Sequence, residues 1–194
     1  MGYLVAGLIA FGMYLIYDIN SFTWKNRFLH SFFMAGSILL AAATAGCVVT
    51  SLREQTLPLW WRVVCGLLAV SQVGLLVYTL FFALPFGETY VRADGKIPVY
   101  KEGVYALCRH PGVLWFILLY TFLALMTGTA LMAAAGVEYS VLNVLYIWFQ
   151  DRVTFKQTLY GYENYQKETP FLIPDRKSIL TCIRYLRTTE DKRG

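Results

Sequence analysis

Arg109 and His110 stand side by side in a chain otherwise sparing of charge, and Pro111 and Gly112 follow them directly. A guanidinium offers a rigid fork of donors that can pair a carboxylate at two points. An imidazole, with an ordinary pKa of about 6.5, can accept a proton near neutrality. The pair could therefore hold an anionic group and take up a proton beside it. Beyond Gly112 only Glu138 is charged until Asp151 and Arg152, after which Tyr160, Gly161, Tyr162 and Tyr165 gather. Cys108 precedes Arg109, whose charge could lower a thiol pKa, but neither a base nor a resolving cysteine accompanies it.

The elements that position these residues are apolar. Pro111 lacks an amide hydrogen and keeps His110 away from the helical region, so a helix is expected to begin at or just after it. Arg109 and His110 then sit on its lip, at a membrane interface. Apolar residues make up 57% of the 194, charged residues 15%, and the mean hydropathy is +0.50. Such a composition lies outside the soluble range and indicates an all-α, polytopic transmembrane protein. The net charge of +5 gathers in loops and tail instead of covering a surface, which argues against nucleic acid as a partner. Cys47, Cys65, Cys108 and Cys182 have no metal-ligand spacing, so free thiols and no metal are expected. No basic region or cleavage site precedes Asp18, and the first apolar run is expected to remain as a membrane helix.

Gly2 to Tyr17 is the first span, about 24 Å long if helical. A polar loop with Asp18, Asn20, Lys25, Asn26 and Arg27 is expected next, with Trp24 as an interfacial anchor. His30 to Leu52 forms the second span, in which Gly36, Ala43 and Gly46 permit close helix contact. Arg53 and Glu54 end it, Pro58 marks a turn, and Trp60 and Trp61 form another interfacial belt. The third span runs from Val63 to Leu84, stopped by Pro85 and Gly87, with Ser71, Gln72 and Gly74 facing other helices. Phe86 to Arg109 is too polar to cross, and Asp94-Gly95 marks a turn within it.

Val113 to Gln150 is too long for one span, and Thr127-Gly128-Thr129 supplies the turn of a two-span hairpin. The hairpin returns Asp151 and Arg152 to the face of His110. Glu138 then lies inside the fifth span, where a neutral carboxylic acid bonded to a neighbouring helix is expected. With the N-terminus non-cytosolic and the C-terminus cytosolic, the cytosolic loops and tail carry 2, 4 and 9 basic residues, 15 of the 17. The tail opens with aromatic residues at helical intervals, and Gly161 interrupts it. Glu163 and Lys167 form an i,i+4 pair on a second helix ended by Thr169-Pro170. PFLIP returns to the membrane surface, and the last stretch is basic enough to suit anionic headgroups or to be a solvated positive tail. The whole is one membrane domain, with three spans in 1–84, a core in 85–174 and a basic tail in 175–194.

The stretch GVYALCRHPG, an uncharged hairpin, an acidic position at 151 and then YGYENYQKETPFLIP resembles the isoprenylcysteine carboxyl methyltransferase and phospholipid methyltransferase superfamily of integral membrane enzymes. The resemblance covers Gly103 to Pro174. It implies an S-adenosyl-L-methionine pocket formed by Tyr105, Arg109, His110, Pro111, Asp151, Tyr160, Gly161 and Tyr165, with Pro174 closing the second motif. Arg109, His110 and Arg152 are the residues placed at the chemistry. Arg109 would pair the cofactor carboxylate, Asp151 the amino group or a ribose hydroxyl, and Tyr160 or Tyr165 would pack on adenine or sulfonium. The acceptor would be a lipophilic small molecule or lipid entering from the bilayer, with membrane lipids as surroundings. Two positions depart from the pattern: Val113 stands where a tyrosine is usual, and Gln150-Asp151 replace a glutamate pair.

Two other readings share the residues. An NADPH-dependent membrane reductase of sterol-reductase type has a related Arg-His arrangement, although this chain is short for one. A non-catalytic membrane protein could retain the fold for packing or lipid binding.

Overall fold

The computed structural model describes residues 1–54, 56–83 and 97–191, with side chains as far as 186. Its helices are α1 (Gly2–Phe22), α2 (Arg27–His30), α3 (Phe32–Glu54) and α4 (Leu59–Val77), which runs into a π-helical turn at Tyr78–Phe82. Strand β1 (Ile97–Pro98) and a 3-10 turn at Gly103–Ala106 lead to α5 (Pro111–Thr127) and α6 (Ala130–Phe149). A second π-helical turn, Gln150–Thr154, is followed by α7 (Phe155–Thr158), strand β2 (Leu159–Tyr160), α8 (Tyr162–Glu168) and α9 (Arg176–Asp191). Among the described residues four stretches are long and apolar enough to cross a bilayer: Gly2–Phe22, Arg27–Glu54, Leu59–Phe82 and Ala130–Thr158. The apolar α5 is shorter, at 17 residues. The described residues are thus all-α but for a two-residue strand pairing, and the long apolar helices are those of a multi-pass membrane protein.

Two compact units divide it, Met1–Val73 with Phe116–Thr154, and Gly74–Trp115 with Phe155–Gly194. In the first, α1 packs on α3 and α6. Lipid offers no hydrophobic drive between helices, so close approach must come from small residues. Gly36 receives the Tyr14 ring and the Ala10 carbonyl, Gly46 the Tyr3 ring, and Ala43 is buried. The small residues of the second span therefore serve the contact expected of them. Gly7 does the same on α1, against Tyr139, which is fully buried and donates from its hydroxyl to the Tyr3 carbonyl at 2.7 Å. A Cβ at Gly7 would overlap that ring, which has nowhere to retreat. Gly7→Ala is expected to cost about 1–3 kcal/mol as an overpacking change, read as a lowered thermal midpoint in detergent. An unchanged midpoint would show the α1 and α6 contact to be slack.

The hairpin turn falls where expected. Gly128 has φ +64°, which suits glycine. Thr129 caps α6, its hydroxyl accepting from the Met132 amide at 3.3 Å and donating to Ser51 at 2.8 Å. Pro111 is the first residue of α5, a position whose amide hydrogen would have no helical partner.

Several expectations are corrected. The loop expected from Asp18 is instead the last turn of α1, and both Asp18 and Asn20 are buried. The reason is that each finds partners inside: Asn20 exchanges hydrogen bonds with the Asn26 main chain at 2.9 and 2.8 Å, and Asp18 accepts from three side chains described below. Arg53 and Glu54 end α3 as expected, whereas α4 starts at Leu59, ahead of the expected Val63, and so takes in Trp60 and Trp61. Trp61 donates from its indole to the Leu125 carbonyl at 3.0 Å. Of Ser71, Gln72 and Gly74 only Gln72 is buried; the Ser71 hydroxyl is satisfied by the Leu68 carbonyl of its own helix, so nothing draws it inward. Glu138 is half-buried and makes no hydrogen bond or ion pair with a described residue, so the expected bond to a neighbouring helix is not formed. Leu84, Pro85, Gly87 and the Asp94-Gly95 turn lie outside the described residues.

Candidate functional site

The second unit brings two stretches of sequence together around Arg109. Its Nη1 donates to the carbonyls of Gln166 at 3.0 Å and Thr169 at 2.6 Å, and its amide to the Pro170 carbonyl at 2.9 Å. The last carbonyls of a helix lack intrahelical donors, and a guanidinium satisfies them while meeting the negative end of the helix dipole. Arg109 thus staples the motif loop to the C-terminal end of α8. The guanidinium also lies 5.5 Å from the centroid of the Phe171 ring, within cation–π range.

His110 is buried in an aromatic box. Its ring stacks on Phe155, with centroids 5.8 Å apart and planes 13° from parallel, and meets Phe171 edge-on at 5.2 Å. Phe155 in turn meets Tyr162, and Tyr162 meets Tyr165. The buried Tyr165 hydroxyl donates to the Tyr105 carbonyl at 2.6 Å. Tyr105 donates from its own hydroxyl to the Thr79 carbonyl at 2.9 Å, and burial pushes its pKa up to about 12. It is a neutral donor at any ordinary pH. Thr79 also accepts the Trp115 indole N–H at its hydroxyl, at 3.0 Å. The π-helical turn, the motif loop and the start of α5 are tied through this one threonine.

Gly161 has φ +78°, a left-handed conformation in which any side chain is strained. It precedes α8 and follows β2, which pairs in parallel with β1 in the register Ile97 to Leu159 and Pro98 to Tyr160. Tyr160 holds that pairing through its carbonyl, which accepts from Val99 at 3.1 Å, while half of its side-chain surface stays exposed. The expected helix break at Gly161 and the end of α8 at Thr169 are both present. The expected Glu163 to Lys167 pair is not; Glu168 instead pairs with Lys101 at 3.0 Å, because α8 lies against the segment before the 3-10 turn.

Cys108 is buried, and burial outweighs the nearby Arg109, raising its thiol to about 11. It is protonated and inert near neutrality. All four cysteines are unpaired and buried. A pocket in this unit is lined by Lys101, Ala106, Glu168, Thr169, Ser178 and Tyr185 among others, and neither Arg109 nor His110 reaches it. Among the described residues no group of three or more His, Cys, Asp or Glu side chains could hold a metal ion.

Asp151 and Arg152 belong to the first unit, on the π-helical turn Gln150–Thr154, where Asp151 is buried and Arg152 exposed. That turn is held from α1. The Asp18 carboxyl accepts from Tyr146, Gln150 and Thr154, the last at 3.5 Å, and the Gln150 amide also donates to Tyr146 at 2.9 Å. Three side chains at intervals of four converge on one carboxyl. In a regular α-helix the outer two would diverge by about 80°, and the wider π turn, which adds a residue to the loop of each hydrogen bond, lessens that divergence.

Sequence reasoning singled out neither this cluster nor Thr79, Phe155 and Phe171. The only available signal was the i, i+4, i+8 spacing of Tyr146, Gln150 and Thr154, which continues past the end of the apolar run. No protein-family model, curated protein or solved structure matches the chain.

Proposed function

We propose that the protein is a five-span membrane methyltransferase, transferring a methyl group from S-adenosyl-L-methionine to a lipophilic acceptor that enters from the bilayer. The observation that carries the reading is the convergence, in one unit, of the Arg109-His110 loop with the Gly161 to Pro170 stretch through Arg109 and Tyr165. These are the two stretches on which the sequence resemblance rests. The residue types also fit the group: a guanidinium for a carboxylate, and aromatic faces at Phe155, Phe171 and Tyr162 for a sulfonium or an adenine.

In this proposal α5 also crosses, as the fourth of the five spans in chain order and, at 17 residues, the shortest. The distribution of 15 of 17 basic residues puts the N-terminus outside and the site in the cytosol. When bound, S-adenosyl-L-methionine supplies a methyl group already activated on sulfur. The protein's part is orientation and exclusion of water. The chemistry the cofactor would supply is in-line methyl transfer to an acceptor lone pair, with S-adenosylhomocysteine as the leaving group. Arg109 holds the cofactor carboxylate and His110 positions the loop, taking a proton where the acceptor is an amine or thiol. Asp151 and Arg152 enter from the resemblance alone.

A scaffold reading has its own support: Arg109 Nη1 and the Tyr165 hydroxyl each bond to main-chain carbonyls, as residues kept for packing would. Calorimetric titration of S-adenosylhomocysteine into detergent-purified protein separates the two. Saturable heat from the wild type, lost in His110→Ala that is still folded at the titration temperature, is the expected result. No heat from folded wild-type protein retires the methyltransferase, and heat from NADPH instead would transfer the site to a reductase.

A further inference from the structure

The C-terminal helix α9 is more amphipathic than any of the spans, and two of its sides have different neighbours. Ser178 and Cys182 are buried on the side that packs against the 3-10 turn Gly103–Ala106. Ile179, Leu180, Ile183 and Leu186 are exposed, Leu180 at 58%. At 100° per residue these four fall within an arc of about 120°. Over residues 179–186 they make one apolar stripe, and Arg176 stands on the same arc about one turn ahead of Ile179. Ile173, within the PFLIP segment and 81% exposed, precedes the helix. On the arc beside Leu180 lie Lys177 and Arg184, and Arg176 opens the helix.

An apolar stripe left in water would be costly, and a chain with several bilayer-spanning helices has a second solvent within reach. A helix with an apolar stripe and a basic flank suits the boundary between acyl chains and headgroups, and cations beside it are attracted to an anionic leaflet. We propose that α9 lies in the surface of an anionic leaflet, with Ile179, Leu180, Ile183 and Leu186 immersed and Arg176, Lys177 and Arg184 among phospholipid headgroups. The side carrying Ser178 and Cys182 remains on the 3-10 turn. α9 is then a strap between the bilayer surface and the loop that carries Tyr105. This docking is independent of methyl transfer and would hold for a scaffold equally.

The test uses the full chain with Ile183→Cys or, as a second probe, Leu180→Cys, each carrying an environment-sensitive fluorophore. The native thiols are all buried, so labelling of the wild type is the blank. The labelled protein is placed in nanodiscs of phosphatidylcholine alone or with phosphatidylserine added, with and without a lipid-borne quencher. Blue-shifted, lipid-quenched emission in the phosphatidylserine discs is expected. The ratio of immersed to water-exposed label should fall about five-fold for each of Lys177→Gln and Arg184→Gln, and fall again at high salt. Water-like emission that lipid quenchers do not touch would overturn the proposal in favour of a solvated tail. Blue-shifted emission that they do not touch would overturn it in favour of a covering protein surface, and equal quenching in both disc types would remove the anionic preference.

Discussion

Arg109→Ala is expected to lower the melting midpoint by roughly 6–24 °C and to abolish S-adenosylhomocysteine binding in the same protein. The first effect follows from the two carbonyls that Nη1 satisfies, at Gln166 and Thr169. Hydrogen bonds to charged groups contribute about 1.5–3 kcal/mol, and a chain of this size shifts by about 2–4 °C per kcal/mol. Arg109→Lys retains the charge but replaces the fork with a point donor, so it should recover part of the midpoint and little of the binding. Midpoint and binding therefore report on different things. A variant that melts lower yet binds normally would make Arg109 a staple only. One that melts as the wild type would remove the staple and leave the guanidinium wholly to the ligand.

Asp18→Ala should be the most damaging change in the first unit. It removes the acceptor shared by Tyr146, Gln150 and Thr154 and leaves polar groups unsatisfied where the residue itself is only 3% exposed. Each such group costs about 1–3 kcal/mol. Gln150 and Tyr146 still have one another, so a total of about 2–4 kcal/mol is expected, as a lower midpoint and a loss of near-ultraviolet circular dichroism from the tyrosines. Asp18→Asn preserves an acceptor oxygen and should lose about half as much. Equal midpoints for wild type and Asp18→Ala would mean that the π-helical turn stands without α1.

Legibility in the sequence followed the range of the interaction. Pro111, Gly128 and Gly161 act through their own backbone, and the start of α5, the hairpin turn and the break before α8 all lie where those residues placed them. Small residues on α3 act through size, and the contact with α1 was readable from Gly36 and Gly46. Asp18 was misjudged because a polar residue beyond an apolar run looks solvated until its partners are known, and Thr154 is 136 residues away. The Glu163 to Lys167 pairing was weakly determined, since a local i,i+4 pair is worth only about 0.2–0.5 kcal/mol, and the ion pair that forms on α8, Glu168 with Lys101 far off in sequence, could not be read from local spacing. The site was half legible. The types of Arg109, His110 and Tyr165 suggested a ligand, but the aromatic box of Phe155 and Phe171 and the Thr79 junction depend on the folded chain.

The long reach of Asp18 bears on how the molecule is made. A ribosome delivers α1 before α3, which soon after can cover Gly36 against Tyr14. The partners of Asp18, and the Tyr139 ring that fills the space over Gly7, arrive only with α6 and the turn beyond it. Until then the first hairpin must wait with a carboxyl group open at one end and a groove open along its middle. Membrane helices insert before they associate, so the closing step in assembling this unit is the arrival of α6 against α1, and a chain halted before Tyr139 keeps that groove unfilled.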